Sequence, residues 1–541
     1  MNKIIPMLNP NSADGTEVLF LCAMAKRLSG SDWFTAKVSA AGILPTLYSF
    51  IDGTAQNKKA GEAGGEVQTS SSTIGREIRV LYKELSEDDT PMVRRSAARH
   101  LGAFAESVAG VSDGKDTTVV QQKISLVMED VVPIFHALSR DEADSVRLLA
   151  VASAGSMGKS LGCDAGLSAD QVLPVIRAGC ADLSWRVRHN LAKEYAKVAS
   201  NLGFVSSQGI NGTASAHLTE VFYNFSGLLQ DAEAEVRGSA VSNVADMTHL
   251  QLQVGASGPQ SDLFLSHIAP TLQSLATDPV MEVRSRLAQA LMDCCDTEKR
   301  DHQLADDIIL SVFKPLLEGF LNDEFAEVQL HILSKLSRVS HLLSRMEMVV
   351  NTILQMSKAP NWRVREAVGH ILPHLAEAME IAFFETHLLE PWLRLLLDQV
   401  AHVRIACVSG MPRLLSVAGS TWMQRMIVPH YRQIYDESSS YLTRITILRC
   451  YCAVVEEEPT GDVGPELLEE IVTSLLKGLD DRVPNVRMVA VKGIGKAVAH
   501  CDEGVVSSKL KPVLDSRATD DDDEDCRHFA LIALSLMQQS Q

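Results

Sequence analysis

The sequence predicts an all-α fold, a solenoid of about twelve stacked units that each contain two helices. Three observations support this fold class. A short motif recurs along the chain, amphipathic helical patterns fill the spaces between its copies, and no strand-like alternation of comparable length competes with them. Because each unit of such an array contacts only its neighbours, residues 1–541 are expected to form one solenoid.

The recurring motif is an Asp, four variable residues, a Val and an Arg, followed by an apolar helix pattern. Clear copies begin at Asp88, Asp141, Asp182, Asp231, Asp278, Asp323, Asp398, Asp481 and Asp521. Weaker copies begin at Ser31, Ala359 and Glu437. Ten intervals separate Val93 from Cys526, 433 residues further on, which gives a mean of about 43. That period in a helical pattern is typical of HEAT or armadillo repeats.

The residue types of the motif suit the turn between two helices. An Asp there can accept hydrogen bonds from the unpaired backbone amides that begin the second helix. The Val is the first core contact of that helix, and the Arg can reach the Asp of the adjacent unit. We therefore expect a structural ladder of ion pairs along one edge. If those pairs are exposed, each stabilises the fold by about 0–1 kcal/mol, and the stacked apolar faces dominate.

The units are expected in the following order. Residues 1–30 form an incomplete N-terminal repeat, and Asp32 to Phe50 supply a second helix. The segment 52–75 contains five glycines and three consecutive serines, which predicts a flexible insertion. From Ile78 to Gln538 each unit has two amphipathic helices.

The helix after Asn361 illustrates the pattern. Four apolar residues lie on one helical face, at Val364, Val368, Ile371 and Leu375. Pro373 within this stretch is expected to kink the helix, because it lacks a backbone donor and clashes with the previous turn.

Composition narrows the classes of partner. The net charge of −18 disfavours nucleic acid, because phosphate binding needs a basic face. The apolar run from Val18 to Ala25 is too short to span a bilayer, so no membrane association is expected. None of the ten cysteines forms a Cys-x-x-Cys pair, which argues against a zinc site. Reduced, mostly buried thiols favour the cytoplasm or nucleus.

Sequence signs of catalysis are missing. No His is followed by Glu, and Gly158-Lys159-Ser160 lacks the first glycine of a phosphate-binding loop. We therefore expect a protein that is not an enzyme and that has no catalytic residues, cofactor, metal or small-molecule substrate.

Several of the turns have distinctive sequences, among them Asp88-Asp89-Thr90-Pro91-Met92-Val93-Arg94-Arg95, Ser184-Trp185-Arg186-Val187-Arg188 and Trp362-Arg363-Val364-Arg365. These stretches resemble turns of a known family, the scaffold (A, 65-kilodalton regulatory) subunits of protein phosphatase 2A. The resemblance implies a HEAT-repeat horseshoe, of which this chain would carry the equivalents of repeats four to fifteen. It also implies two kinds of protein partner, the phosphatase catalytic subunit and an exchangeable regulatory B subunit.

The resemblance also implies where these partners bind. Residues 351–541 would hold the catalytic subunit through Trp362, Arg363, Val400, Tyr441, Arg444, Val483 and Pro484. Residues 76–350 would hold the regulatory subunit through Pro91, Arg95, Trp185 and Arg186. This chain has Ala401 where the family usually has Tyr, which weakens one contact. From the residues alone, Trp362 and Trp185 suit packing inside a repeat as well as they suit an interface.

The function that these observations favour is a phosphatase scaffold. The alternative is a nuclear transport receptor of the importin-β type, which is also acidic and built of HEAT repeats. A HEAT-repeat enzyme is the third class considered, and it lacks its His-Glu metal motif here.

Overall fold

A computed structural model describes residues 16–59, 65–110, 117–162, 164–205, 212–254, 263–297, 304–456 and 463–539. The chain divides into two compact units, residues 1–304 and 305–541. The expected boundary at residue 350 separates the regions assigned to two binding partners, and it remains a prediction. The described residues contain helices and turns and no β-strand.

The described residues of the first unit form fifteen α-helices. They are α1 Thr16–Ser29, α2 Phe34–Lys59, α3 Gly65–Ser86, α4 Pro91–Ala109, α5 Thr117–Leu126, α6 Val132–Leu138, α7 Asp144–Ala152, α8 Ala154–Ser160, α9 Ala165–Cys180, α10 Trp185–Ser200, α11 Gly212–Leu229, α12 Ala234–Val241, α13 Val244–Gln253, α14 Ala269–Ala276 and α15 Met281–Cys294. Two π turns, Val127–Val131 and Phe264–Ile268, precede α6 and α14.

The second unit continues with α16 Asp306–Ile308, α17 Lys314–Leu321, α18 Ala326–Leu333, α19 Glu347–Met356, α20 Trp362–Met379, α21 Ile381–Phe383, α22 Leu389–Leu396, α23 Ala401–Ser409, α24 Met411–Ala418, α25 Ser420–Trp422, α26 Val428–Glu437, α27 Tyr441–Glu456, α28 Pro465–Leu479, α29 Pro484–Ala497, α30 Glu503–Val505, α31 Lys511–Asp520 and α32 Glu524–Gln539. It also has π turns Ile309–Phe313, Phe384–Leu388, Met423–Ile427 and Val506–Leu510, and 3₁₀ helices Leu336–Arg345 and Val498–His500.

Each repeat is a pair of antiparallel helices, some of them divided into shorter segments. A short turn that carries one copy of the motif joins the two. The second helices of successive repeats stack on one another, α2 on α4, α4 on α7 and α8, and α10 on α12 in the first unit. In the second unit α20 packs on α23, α27 on α29 and α29 on α32. This architecture confirms the predicted all-α HEAT-repeat fold.

The helix α20 shows how the sequence pattern produces the core. Val364, Val368, Ile371 and Leu375, which share one face, are all buried. Burial of such a face stabilises by roughly 1.5–3 kcal/mol for each large aliphatic side chain. Helix α20 continues as one helix through Pro373, and the kink expected at this proline stays a prediction.

In the first helices of several repeats, a proline follows a widened turn. Five π turns are each followed two residues later by a proline, at Pro133, Pro270, Pro315, Pro429 and Pro512. A proline ring clashes with the carbonyl four residues before it, and a π turn widens the helix at that place. These recurring widened turns were not predicted from the sequence.

Most of the segment 52–75, which was expected to be a flexible insertion, is helical, and its flexibility stays a prediction. Helix α2 extends to Lys59 and α3 begins at Gly65, while residues 60–64 lie outside the described part of the chain. Glycine weakens a helix by about 1 kcal/mol relative to alanine, which does not stop a helix that neighbouring residues support.

The N-terminal residues were expected to form an incomplete repeat. In the structure, α1 packs against α2 and α3, while residues 1–15 lie outside the described part of the chain. One described segment, Phe34–Ile51, is long and apolar enough to cross a membrane by length and composition alone. Its Ala40, Leu44 and Leu47 are fully buried in the first unit, as in the core helix of a repeat.

Candidate functional site

The turn inside each repeat is shaped by the Asp that begins the motif. One carboxylate oxygen of Asp398 accepts a hydrogen bond from the backbone N–H of Val400 at 2.8 Å. The same bond, from the amide two residues later, is made at 2.8–3.0 Å by Asp88, Asp141, Asp182, Asp231, Asp278, Asp323, Asp481 and Asp521. The predicted role of the Asp as an acceptor for helix-end amides is therefore confirmed.

The Arg six residues after the Asp joins its own turn to the next one. In Arg188, Nη1 donates to the carbonyl oxygen of Asp182 at 2.8 Å. Its Nε and Nη2 donate to both carboxylate oxygens of Asp231 in the following repeat, at 2.6 and 2.9 Å. This two-pronged geometry is the strongest that an Arg–carboxylate pair can adopt.

In the first unit the ladder runs without a gap through five successive junctions, with N–O distances of 2.6–2.7 Å. The pairs are Lys37–Asp88, Arg94–Asp141, Arg147–Asp182, Arg188–Asp231 and Arg237–Asp278. In the second unit the same pairing joins Arg365 to Asp398, Arg444 to Asp481, and Arg487 to Asp521.

These ion pairs are less exposed than the sequence suggested. Asp398 exposes 9% of its side chain and Asp521 exposes 1%. Burial by itself raises the pKa of Asp398, but the hydrogen bond from Arg365, the amide of Val400 and nearby arginine charges outweigh it, so its pKa lies below the usual value. The pKa of Asp182, Asp481 and Asp521 is lowered for the same combination of reasons. Removing the arginine of such a pair would therefore leave a largely buried carboxylate, which destabilises more than the loss of an exposed surface pair.

The weaker copies of the motif keep the turn with other residues. Ser31 and Ser438 use a hydroxyl oxygen to accept the amide two residues later, both at 3.2 Å. At the copy with Ala359, the side chain of Asn361 accepts the amide of Arg363 at 3.0 Å. The copy assigned to Glu437 therefore begins one residue later, at Ser438, because Arg444 donates to the carbonyl of Ser438.

Trp362 and Arg363 lie at the first positions of α20, directly after the turn. The Arg363 guanidinium lies over the Trp362 ring, 4.7 Å from its centre, and the ring of His402 in the next repeat is 5.4 Å away. Trp362 is half-buried and Arg363 is exposed. Val400, half-buried at the start of α23, lies on the same line of turns.

The predicted residues of the last repeats separate into two groups. Tyr441 is 41% exposed at the start of α27, and Val483 and Pro484 are half-buried at the start of α29. Arg444 is different, since it is only 9% exposed and its guanidinium holds Asp481 and the carbonyl of Ser438. The structure thus places Arg444 in the ladder, where its guanidinium holds the turn, and its predicted contact with the catalytic subunit stays a prediction.

The four predicted residues of the N-terminal half also lie on turns. Pro91 is exposed at the start of α4, and Arg95 is half-buried one turn later. Trp185 is 37% exposed with the Arg186 guanidinium 5.3 Å from its ring centre. The pair Trp185 and Arg186 therefore repeats, in the first unit, the arrangement of Trp362 and Arg363 in the second.

The structure also exposes large apolar residues that sequence analysis did not select. On or beside the turns these are Trp33, Met92, Leu183, Val280, Phe325, Leu397 and Leu442. Leu183 is 99% exposed and Trp33 is 76% exposed. Position in the motif could have identified most of them, because the turn residues just after the Asp face outward. We call these exposed apolar residues, together with the predicted contact residues described above, the turn surface.

Comparison with known proteins adds sequence relatives. No family model matches the chain. The PP2A regulatory A protein of Schizosaccharomyces pombe is 27% identical over 184 residues, which are 34% of this chain and 26% of that protein. A probable PP2A regulatory subunit from Caenorhabditis elegans is 34% identical over 138 residues, 26% of this chain and 18% of that protein. The matched stretches thus span about a quarter or less of these relatives.

Solved structures show similarity of fold over almost the whole chain. Kap95p, from a study of its binding to RanGDP, has a TM-score of 0.62 and 13% identity, covering 97% of this chain and 64% of that one. Kap121p, bound to the extreme C-terminus of the phosphatase Cdc14p, has a TM-score of 0.61 and 14% identity, covering 97% of this chain and 50% of that one. At such identity the likeness establishes the fold alone.

The fold and the turn surface place this chain in the class of HEAT-repeat α-solenoids. Within that class, its sequence is similar to the regulatory A subunits of protein phosphatase PP2A over part of its length.

Proposed function

We propose that the chain is a non-enzymatic scaffold that holds a serine/threonine phosphatase catalytic subunit and a regulatory B subunit on its turn surface. Binding both on one chain raises the effective concentration of substrate at the catalytic subunit without any new contact between them. The similarity to PP2A regulatory A subunits supports this choice of partners.

The single observation that carries the proposal is the repeated pairing of an exposed Arg with a Trp at the start of a second helix. It occurs at Trp185 with Arg186 and at Trp362 with Arg363. Trp, Tyr and Arg are the residue types that dominate binding energy at protein interfaces. Each pair sits on a turn that the ladder holds rigid, so little conformational entropy is lost when a partner binds.

We assign residues 351–541 to the catalytic subunit and residues 76–350 to the regulatory subunit. The catalytic-subunit contacts would be Trp362, Arg363, Val400, Tyr441, Val483 and Pro484, with Arg444 holding its turn in place. The regulatory-subunit contacts would be Pro91, Arg95, Trp185 and Arg186. The described cysteines are all unpaired, which supports a location in the cytoplasm or nucleus.

The test uses the full chain with a purified PP2A catalytic subunit. Replacing both Trp362→Ala and Tyr441→Ala removes two interface anchors, each worth about 2 kcal/mol or more, so the affinity should fall by on the order of a hundredfold or more. The dissociation constant is measured by surface plasmon resonance, and helicity by circular dichroism should not change.

The matched control is Met348→Ala, a more exposed apolar residue on α19 and away from the turns. It should leave the affinity unchanged. In the other half, Arg186→Glu should release the regulatory subunit and retain the catalytic subunit. Wild-type affinity of the Trp362 and Tyr441 double variant would reject the assigned surface, and equal loss of both partners from Arg186→Glu would reject its division in two.

A nuclear transport receptor is the second candidate, favoured by the fold likeness to Kap95p over 97% of this chain. It is the weaker proposal because the sequence similarity lies with the phosphatase subunits. Binding of the full chain to Ran, with no binding to the catalytic subunit, would reverse this order.

A further inference from the structure

The ladder of the second unit contains an arginine without its carboxylate. Arg404 occupies the ladder position of the repeat that begins at Asp398, and its Nη1 donates to the carbonyl oxygens of Asp398 and Gln399 at 2.6 and 3.0 Å. The next turn offers Ser438 where other repeats have Asp. Ser438 uses its hydroxyl within its own turn, and no described carboxylate accepts a hydrogen bond from Arg404.

The other copies show what this arginine is arranged to bind. In Arg365 and Arg444, Nη1 is anchored in the same way to the carbonyl of its own turn. Their Nε and Nη2 then hold both oxygens of a carboxylate at 2.6 and 3.0 Å. Arg404 has the same anchor, but no described residue accepts a hydrogen bond from its Nε or Nη2, so the carboxylate that fills this place in the neighbouring repeats is missing beside it.

A pocket of about 340 Å³ lies at this place in the second unit. It is formed by the starts of α23, α27 and α29, and its walls include Arg404, Ile405, Tyr441, Leu442, Arg449 and Met488. Of the described residues that line it, two are arginines and none is acidic. Ile405 and Leu442 are more than 40% exposed, so one side of the pocket is apolar.

We propose that this pocket binds an acidic segment of a partner protein, in which an Asp or Glu side chain pairs with Arg404. A neighbouring apolar side chain of the same segment packs on Ile405 and Leu442. The partner would thus complete the ladder in trans, by supplying the carboxylate that Ser438 does not. On a chain with a net charge of −18, this local positive charge also attracts acidic segments selectively.

The geometry favours a side-chain carboxylate over other anions. In the other repeats, Nε and Nη2 of the ladder arginine bind two oxygens that lie in one plane, as the oxygens of a carboxylate do. The apolar wall suits a protein segment, because an inorganic anion would leave it uncovered.

The proposal can be tested on the full chain with labelled peptides alone. The probes are fluorescein-labelled nonapeptides in which one Asp lies two, three or four residues from a Leu or a Phe. Fluorescence anisotropy should show saturable binding of at least one of these spacings. Replacing its Asp by Asn should weaken binding by about tenfold or more, since charge-assisted bonds are lost. A phosphoserine version should bind more weakly than the Asp version.

Three variants then locate the binding. Arg404→Gln should lower the affinity of the peptide by about tenfold or more, and Arg404→Lys should give an intermediate loss because it keeps the charge without the planar pair of donors. Ser438→Asp should restore the ladder within the chain. It should therefore abolish peptide binding and raise the melting temperature by about 2–4 °C.

The matched control is Ser439→Asp, which adds the same charge one residue beyond the ladder position. It should change peptide affinity by less than about threefold in 0.15 M salt, where exposed charges are screened. No saturable binding by any peptide, or equal effects of Ser438→Asp and Ser439→Asp, would overturn the proposal. Preference for the phosphoserine probe would assign the pocket to phosphate instead.

A second copy of this chain is the remaining occupant to distinguish. Concentration-dependent dimers in sedimentation experiments that Arg404→Gln abolishes would identify a second copy and overturn the proposal. The peptide assay contains no phosphatase subunit, so its failure is separate from any failure of the proposed scaffold function.

Discussion

The two compact units differ in how many of their successive turns are joined by a ladder ion pair. In the first unit every junction from Lys37 to Asp278 has its ion pair. In the second unit two junctions lack one. Between the turns of Asp323 and Ala359, Gln329 replaces the Arg and donates only to the carbonyl of Asp323, at 2.7 Å. Between the turns of Ala359 and Asp398, Arg365 and Asp398 form the pair. Between the turns of Asp398 and Ser438, Arg404 has no described carboxylate to pair with.

The difference shows that stacking and charge pairing are separable. The helices α18 and α20 pack on each other although no ladder pair joins their turns. Apolar packing therefore holds these two helices together without a ladder pair. Where the ladder is broken at Arg404, the guanidinium has no carboxylate partner among the described residues.

The largest loss of stability is expected when the ladder carboxylates are protonated together. The pKa of Asp88, Asp182, Asp398, Asp481 and Asp521 is lower in the fold than in free Asp, chiefly because bonds from Lys or Arg and a backbone amide outweigh burial. The unfolded chain then binds more protons than the folded one. Stability is therefore full above about pH 4 and is lost as the pH falls through the lower folded-state pKa values.

Hydrogen exchange measured by mass spectrometry at pH 7 and at about pH 3, with rates corrected for pH, would test this prediction. Exchange should increase at the paired turns of both units. The junction from Gln329 to Ala359 has no charge pair and serves as the internal control. Equal increases at that junction and at the paired turns would show that the ladder does not cause the acid sensitivity.

The second largest effect is expected from Arg487→Met. This change leaves Asp521, of which 1% is exposed, without its closer partner and with Arg517 at 3.7 Å as the remaining cation. Removing one partner of a buried ion pair destabilises by roughly 3 kcal/mol. Urea unfolding followed by circular dichroism should show this loss. Gln329→Met at the unpaired junction removes one neutral hydrogen bond and should cost only about 1 kcal/mol; similar losses for the two variants would contradict the comparison.

The smallest effect is expected from building the missing pair at the other broken junction. Gln329→Arg combined with Ala359→Asp should be more stable than the sum of the single changes by about 0.5–1 kcal/mol. A double-mutant cycle of unfolding free energies measures this coupling. Strictly additive single changes would mean that the two turns lie too far apart to pair.

Much of the fold followed from local sequence, whereas the site followed only in part. The period of the motif and the apolar face of α20 identified the repeats and their core, since both depend on residues close in the chain. The helical ends at 52–59 and 65–75 were missed because glycine and serine content indicates loops only when neighbouring residues do not support a helix. For Arg444, the resemblance to a family suggested an exposed contact, and its burial against Asp481 depends on the next repeat.

By itself, the sequence determined that this protein is an array of two-helix repeats with an Asp-to-Arg motif at most of the turns. Those features arise from helical periodicity and from hydrogen bonds within one turn. Only the tertiary structure decided which charges are satisfied, because each ladder pair joins residues from different repeats. Arg404 and Arg444 occupy the same position in the motif, yet Arg444 is buried against a carboxylate and Arg404 faces an open pocket.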